Sequence, residues 1–425
     1  MISQGTHPAG LRYLSRSTIA AQAAMTGGST SGQQRQAAPQ SAKDVKVAFV
    51  GAGGINFGTP EGPWNHSARL QLLPGVTFSA ICDPNLELAQ KRIDTLSAGE
   101  HGDKWKGCKT FPSYQAMLDA PGGPPDAVFI GLPPKFHGSL DDPNADIEVQ
   151  LARAGVHQFV EKPLSVRPAE EVGRLSQELQ RIQKDNGVVI AVGYMFRYAP
   201  LVEAAKRVLK ETGAKPLGVV GRYACAYTFI EKRDWWDTAL SGGPIVEQAT
   251  HFVDLMRHFC GEIVESSIKA VAVGPSVPLS DMPKPPLAEH EVPMERRINR
   301  VTAAVFEFES GAVGSLTHSA LMHKSHYATE LEILADGLHL VLQDPYGSPK
   351  LLVRRPHSEE YVEENINHDE DMYLREVEAF IDAVRIGDTS AIKSLYADAA
   401  LSYQATQWIT AASNSGHMGP AAPEP

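Results

Sequence analysis

The sequence predicts an α/β protein whose first half is a doubly wound parallel sheet. Three observations predict it. Short β-branched runs alternate with helical stretches from Val45 to Val160. A glycine-rich turn follows the first run. Strand-like runs with glycine turns then occupy much of the second half. The 425 residues suggest two to three domains at about 150 residues each. Lys and Arg number 39 against 50 Asp and Glu, a formal charge of −11. That balance argues against a nucleic-acid binder, which needs a basic face to neutralise phosphates. No run of about 18 apolar residues is present, so no membrane-spanning helix is expected.

The strands are taken in order. Val45–Gly51 is a buried parallel strand, Thr77–Cys82 a second, Asp126–Gly131 a third and Val156–Val160 a fourth. Helices are expected at Asn85–Leu96, Ser113–Leu118 and Ile147–Ala154. In the second half, Leu217–Phe229, Ile268–Gly274, Val301–Phe308, Ala312–His318, Glu330–Ala335 and His339–Gln343 read as strands. Asp369–Ile386 and Ala391–Ala412 read as helices. The expected division is a leader over 1–43, a nucleotide-binding domain over 44–165, a second domain over 166–412 and a frayed tail over 413–425. The leader contains no Asp or Glu. It reads as a flexible cytoplasmic extension or a mitochondrial transit peptide. Cys82, Cys108, Cys225 and Cys260 form no C-x-x-C pair and are expected to be structural thiols. The loop Pro275–Pro293 receives no assignment.

The turn Gly51-Ala52-Gly53-Gly54-Ile55-Asn56 has two glycines of a dinucleotide fingerprint, with Asn56 where Gly or Ala is usual. Its amides suit a pyrophosphate. Asp83 ends the second strand, where an acid accepts from ribose hydroxyls and repels a 2′-phosphate. It also suits a helix N-cap ahead of Pro84. Lys91 and Arg92 are placed too far down the helix to offset it, so NAD is expected ahead of NADP. Lys162, in Glu161-Lys162-Pro163 after the fourth strand, sits where α/β folds keep catalytic groups. It either stabilises negative charge on a substrate oxygen or is a surface ion pair. Glu247, His251 and Asp254 fall on one face of a helix expected over Ile245–Cys260. Glu247 is placed to orient His251 and support its protonated form, which makes His251 a general base or acid.

These segments resemble the Gfo/Idh/MocA family of oxidoreductases. The resemblance is carried by V-A-F-V-G-A-G-G-I, A-I-C-D, D-A-V-F-I-G-L-P-P-K-F-H, V-E-K-P-L and G-G-P-I-V-E-Q-A-T-H-F-V-D. It implies a Rossmann domain followed by an α/β domain with a large open, mostly antiparallel sheet. It also implies redox chemistry on a sugar, polyol or related hydroxyl compound. Gly51, Gly53, Gly54 and Ile55 match the phosphate loop, and Asp83 the ribose acid. Leu132, Pro133 and His137 match the segment beside the cofactor, and Glu161 with Lys162 the pair near the nicotinamide ribose. Lys162 and His251 match the catalytic lysine and histidine, while Glu247 stands where many members carry aspartate. Trp235 and Trp236 are either a wall for a sugar ring or a plug between domains. Tyr194 and Arg197 face the ligand or, for Arg197, form a structural salt bridge. No metal is expected from His318, His323 and His326. A homodimer or homotetramer is implied. A cofactor-binding sensor and a redox-neutral enzyme with retained NAD are the alternatives.

Overall fold

The computed structural model describes residues 43–59, 62–226, 233–278, 280, 288–323 and 327–415. The leader before Lys43, the end of the strand expected to reach Phe229, part of the loop after Pro275, His326 and the last ten residues lie outside these. Six strands form the first sheet: β1 (Val45–Val50), β2 (Val76–Cys82), β3 (Lys109–Phe111), β4 (Ala127–Ile130), β5 (His157–Val160) and β6 (Ile190–Val192). Their order is β3-β2-β1-β4-β5-β6, and every pairing is parallel. Both faces are covered, so β1 and β4 are apolar throughout their buried lengths. The order reverses between β1 and β4, and the crevice of such a sheet opens beyond the strand ends at that point.

Two expectations are corrected. The edge strand β3 was not anticipated, because three residues carry no readable alternation. The first lobe also runs past residue 165. β6 hydrogen-bonds to β5, and the helix Ala169–Asn186 buries Val172, Leu175, Leu179 and Ile182 in the same core.

The second sheet has eight strands: β7 (Pro216–Ala226), β8 (Lys269–Val273), β9 (Val301–Glu307), β10 (Val313–Met322), β11 (Tyr327–Ala335), β12 (Leu338–Gln343), β13 (Lys350–Arg354) and β14 (Val362–Glu363). Their order is β14-β13-β12-β11-β7-β10-β9-β8. Only β7 and β10 pair in parallel. The rest are antiparallel. Alternation along β9 and β10 sends Ala304, Phe306, Leu316 and Ala320 into the core. The opposite face leaves Val271, Val305 and Val313 exposed.

Helix Thr250–Cys260 covers the inner face, with Phe252 and Met256 against Gly221. A Cβ at Gly221 would fall 2.4 Å from the Met256 methyl. The helix Met372–Ile386 returns to the first lobe and sets the Phe380 ring edge-on to Phe129 and Phe159. The final helix, Tyr396–Ser415, continues past the expected end at Ala412.

Candidate active site

The first sheet builds the site from its switch point outward. Gly51 has φ +95°, and a Cβ there would lie 2.6 Å from the Gly131 carbonyl oxygen, so only glycine fits. Asn56 is fully buried in place of the third fingerprint glycine. Its Nδ2 donates to the carbonyls of Gly51 at 2.8 Å and Val50 at 3.3 Å, closing the loop. The close approach of helix and strand is supplied from the other side. A Cβ on Gly131, just past β4, would strike Ile55 and Asn56 at 2.5 and 2.7 Å.

Asp83 braces this loop. Its Oδ2 accepts from Ala52 N–H and its Oδ1 from Asn85 N–H, each at 2.8 Å. It does not cap the following helix; the Asn85 side chain does. Arg92 is also corrected. Its Nε donates to the Ala52 carbonyl at 3.3 Å, and its guanidinium lies over the Phe57 ring. Positive charge therefore reaches the loop that Asp83 touches, and the repulsion expected for a 2′-phosphate is partly offset.

A cavity of about 570 Å³ opens between the lobes from this loop. Gly53, Gly54, Ile55, Leu132, Pro133, Glu161, Lys162, Trp235, Glu247 and His251 all line it. Lys162 precedes the cis peptide bond to Pro163. Its Nζ donates to the Glu247 backbone carbonyl at 2.9 Å and to Glu247 Oε1 at 3.0 Å.

Glu247 therefore holds Lys162, and no hydrogen bond joins it to His251. The helix expected over Ile245–Cys260 is broken into Pro244–Glu247 and Thr250–Cys260. At the break, Ala249 N–H donates to the carbonyl of Pro244, five residues back. This wide turn removes the i, i+4 relation between Glu247 and His251. Burial, with Lys162 nearby, holds the His251 imidazole well below its usual range, so it is neutral. The expected support of its protonated form is overturned. Its Nδ1 is sealed from solvent with no hydrogen-bond partner.

Four other expected residues lie off the cavity. Tyr194 is buried, its hydroxyl bonded to Thr250 Oγ1 at 2.8 Å. Arg197 grips Asp254 through two bonds of 2.7 and 2.6 Å and also meets Asp398 and the Lys393 carbonyl. This is its structural alternative, and it also takes up Asp254. Trp236 is fully buried in the second core. The Trp pair thus divides: Trp235 lines the cavity and Trp236 plugs the core. His137 turns inward to Glu148 at 3.0 Å, tying the loop after β4 to the helix Ile147–Arg153.

The cavity also holds residues that sequence motifs did not reveal. Trp64, Tyr223, Gln248, Tyr327, Tyr346, Tyr373 and Glu376 complete its walls. His66 lies behind Glu161, with Nε2 2.7 Å from Glu161 Oε1. Tyr373 and Glu376 come from the helix Met372–Ile386, and both Tyr373 Oη and Glu376 Oε1 are buried without a partner. Burial first, then the Glu161 and Asp254 carboxylates, raises the Glu376 carboxyl well above its usual range, toward a neutral acid. Their spacing of three residues was the one available signal.

Residues 45–194 match the model of an oxidoreductase family with an NAD-binding Rossmann fold, GFO_IDH_MocA, and residues 197–338 match an oxidoreductase C-terminal domain. An uncharacterized protein of Schizosaccharomyces pombe is 37% identical over 375 residues, 86% of this chain and 96% of its own. The chain belongs to the Gfo/Idh/MocA oxidoreductase family. A Bacillus subtilis relative named scyllo-inositol 2-dehydrogenase (NAD(+)) is 24% identical over 357 residues, 83% of this chain and 89% of its own. Levoglucosan dehydrogenase, solved with NADH, shares the fold at a TM-score of 0.67 and 19% identity, covering 88% of this chain and 98% of that one.

This family member fits a dinucleotide on its own geometry. A Cβ built at Gly53 meets nothing within 4 Å, leaving open space over the loop, and the Asp83 carboxylate stands at the end of β2. Among the described residues, no three His, Cys, Asp or Glu gather as metal ligands. His318 is committed to Gln248.

A pH dependence of stability follows from this burial. Burial lowers the His318 pKa from 6.5 to about 3. Between those values the unfolded chain binds a proton that the folded chain refuses, so stability falls as pH drops. Urea unfolding from pH 7 to pH 4 is expected to show the gap between wild type and His318→Asn narrowing with acidity. A gap independent of pH would mean that His318 takes up its proton as readily in the fold as in the unfolded chain.

Proposed function

We propose that this chain oxidises or reduces a single CH–OH/C=O centre of a cyclic polyol or sugar, with Lys162 and His251 handling the oxygen and its proton. The observation that carries this reading is the seating of Lys162. An ammonium has three N–H donors. Glu247 takes two of them, which leaves one for a ligand oxygen in the cavity.

Nicotinamide, when bound, supplies the hydride acceptor or donor. Gly51, Gly53, Gly54 and Ile55 would hold its phosphates, and Asp83 and Glu161 its riboses. Lys162 donates to the substrate oxygen and stabilises negative charge as it develops there. Glu247 fixes the lysine through backbone and side chain together, which limits its rotamers. His251 is neutral, so it can accept the hydroxyl proton in oxidation and return it in reduction. Trp64, Trp235 and the tyrosines offer flat apolar surface to ring C–H groups, while their polar tips reach hydroxyls. The names of relatives support this class: scyllo-inositol 2-dehydrogenase (NAD(+)) and D-xylose 1-dehydrogenase (NADP(+)) 2 are among them.

The test is absorbance at 340 nm with NAD and, separately, NADP across inositols, aldoses, anhydrosugars and dihydrodiols. Substrate-dependent formation of reduced cofactor is expected, faster with NAD because of Asp83. Intact cofactor binding with no turnover on any compound would overturn the reading in favour of a sensor or a redox-neutral enzyme.

A further inference from the structure

Gln248 occupies the break between the two helical pieces. It is 5% exposed, yet lines the cavity. Its Oε1 is turned away from the cavity. There it accepts from His318 Nε2 at 2.8 Å and from Cys225 Sγ at 3.2 Å. An amide oxygen can only accept, so His318 must present Nε2–H. Burial keeps that imidazole neutral and keeps the Cys225 thiol protonated, its pKa pushed up to about 12. The Tyr223 ring stacks on His318 with centroids 5.5 Å apart and fixes its plane. Both supports come from the second sheet, Cys225 from β7 and His318 from the neighbouring β10, where His318 lies opposite Tyr223 and Cys225 opposite Ala320. With the oxygen fixed, the amide nitrogen points the other way. Its two N–H groups have no protein partner among the described residues.

We propose that Gln248 is a substrate-binding and specificity residue: its amide hydrogens donate to a substrate oxygen beside the reacting centre, and His318 and Cys225 are positioning residues that set its orientation. The inference rests on the oxidoreductase reading above and names one element of that site's selectivity. A buried donor built for an oxygen discriminates strongly against an analogue lacking it, because the donor is then left unpaired. The wide turn at Ala249 is what brings Gln248 to the wall. A continuous helix from Pro244 would carry it to a different angle.

The experiment uses full-length protein and the compound of the 340 nm panel turned over fastest, with its monodeoxy analogues. Gln248→Glu keeps shape and the acceptor for His318 but offers an oxygen where the amide hydrogens were. It is expected to raise KM by about 10–100-fold, the cost of one buried hydrogen bond lost and replaced by repulsion. It should also abolish the preference for the parent compound over one deoxy analogue. NADH affinity, read by nicotinamide fluorescence, should stay at the wild-type value. If Gln248→Glu does not fold, Gln248→Met removes the donors without adding charge.

His318→Leu is expected to weaken the same preference, and His318→Gln, which restores a donor, to recover it. Unchanged KM and unchanged deoxy preference in a folded Gln248 variant would overturn the proposal. If wild type turns over nothing, the oxidoreductase reading fails separately. Saturation-transfer NMR of scyllo-inositol on NADH-loaded protein then decides this one. A wild-type signal lost in Gln248→Glu supports it, and equal or absent signals overturn it.

Discussion

Replacing Lys162 with methionine is expected to lower kcat/KM by about 10²–10⁴-fold while leaving NADH binding nearly intact. Methionine keeps length and apolar volume but has no N–H to offer the substrate oxygen. The loss falls on the chemical step, because the charge that Lys162 stabilises grows only as the reaction proceeds. Some cost also comes from Glu247, whose carboxylate and backbone carbonyl lose their shared partner. Lys162→Arg separates the two effects. It keeps the charge, but its planar fork cannot place one hydrogen where a tetrahedral ammonium does. The checks are steady-state kinetics on the panel substrate and a fluorescence titration with NADH. Loss of NADH binding equal to the loss of rate would assign Lys162 to the cofactor alone.

Arg197→Met is expected to destabilise the fold by about 3–5 kcal/mol, the cost of stripping one partner from a buried ionic cluster. Arg197 is 5% exposed and holds Asp254, itself 1% exposed, by two bonds. Asp254 Oδ1 accepts from Ser402 of the final helix as well, and Arg257 reaches Asp398 of that helix at 3.0 Å. Removing the guanidinium strands the Asp254 carboxylate away from water. The cluster joins the His251-bearing helix to the chain's last helix, so the loss spreads beyond one side chain. Urea unfolding measures it, and a variant of wild-type stability with a raised KM would return Arg197 to the ligand site. A double change, Arg197→Met with Asp254→Leu, should recover part of the loss by leaving no unpaired charge.

The parallel sheet was legible because strands buried on both faces read as apolar runs, and glycine turns mark their ends. Gly51 was legible for a related reason, since a backbone that must pass this close to Gly131 tolerates no Cβ, and Gly53 by its place in the fingerprint, where the loop is left open to a pyrophosphate. Lys162 and His251 stood out by their place at the end of a strand and on a helix after a glycine turn. The pairings between them were not legible. Sequence spacing assumes a continuous helix, and one wide turn at Ala249 moved Glu247 from the histidine to the lysine. Arg197 and Trp236 stayed open between two readings, and Tyr194 was expected at the ligand, because a polar or aromatic residue near a cleft looks the same whether it faces the cavity or the core. Only burial separates the two cases. Tyr373 and Glu376 had no motif to announce them, as a helix distant in sequence delivers them. Asn56 shows the same limit at the phosphate loop. The space saved by the missing glycine is recovered at Gly131, on another strand.

The late place of the helix Met372–Ile386 in the chain sets an order on how the protein is made. The cavity's walls begin at Gly53 and end at Glu376, so the emerging polypeptide must release nearly its whole length before the pocket can close. The Rossmann sheet can form early during synthesis, since all of its strands precede residue 193. Its surface under Phe129 and Phe159 stays uncovered until Phe380 arrives. A ribosome-bound chain can thus carry a formed nucleotide loop long before it has a complete place for a substrate, and a chain cut before Met372 would leave aromatic surface open to chaperones and to other chains.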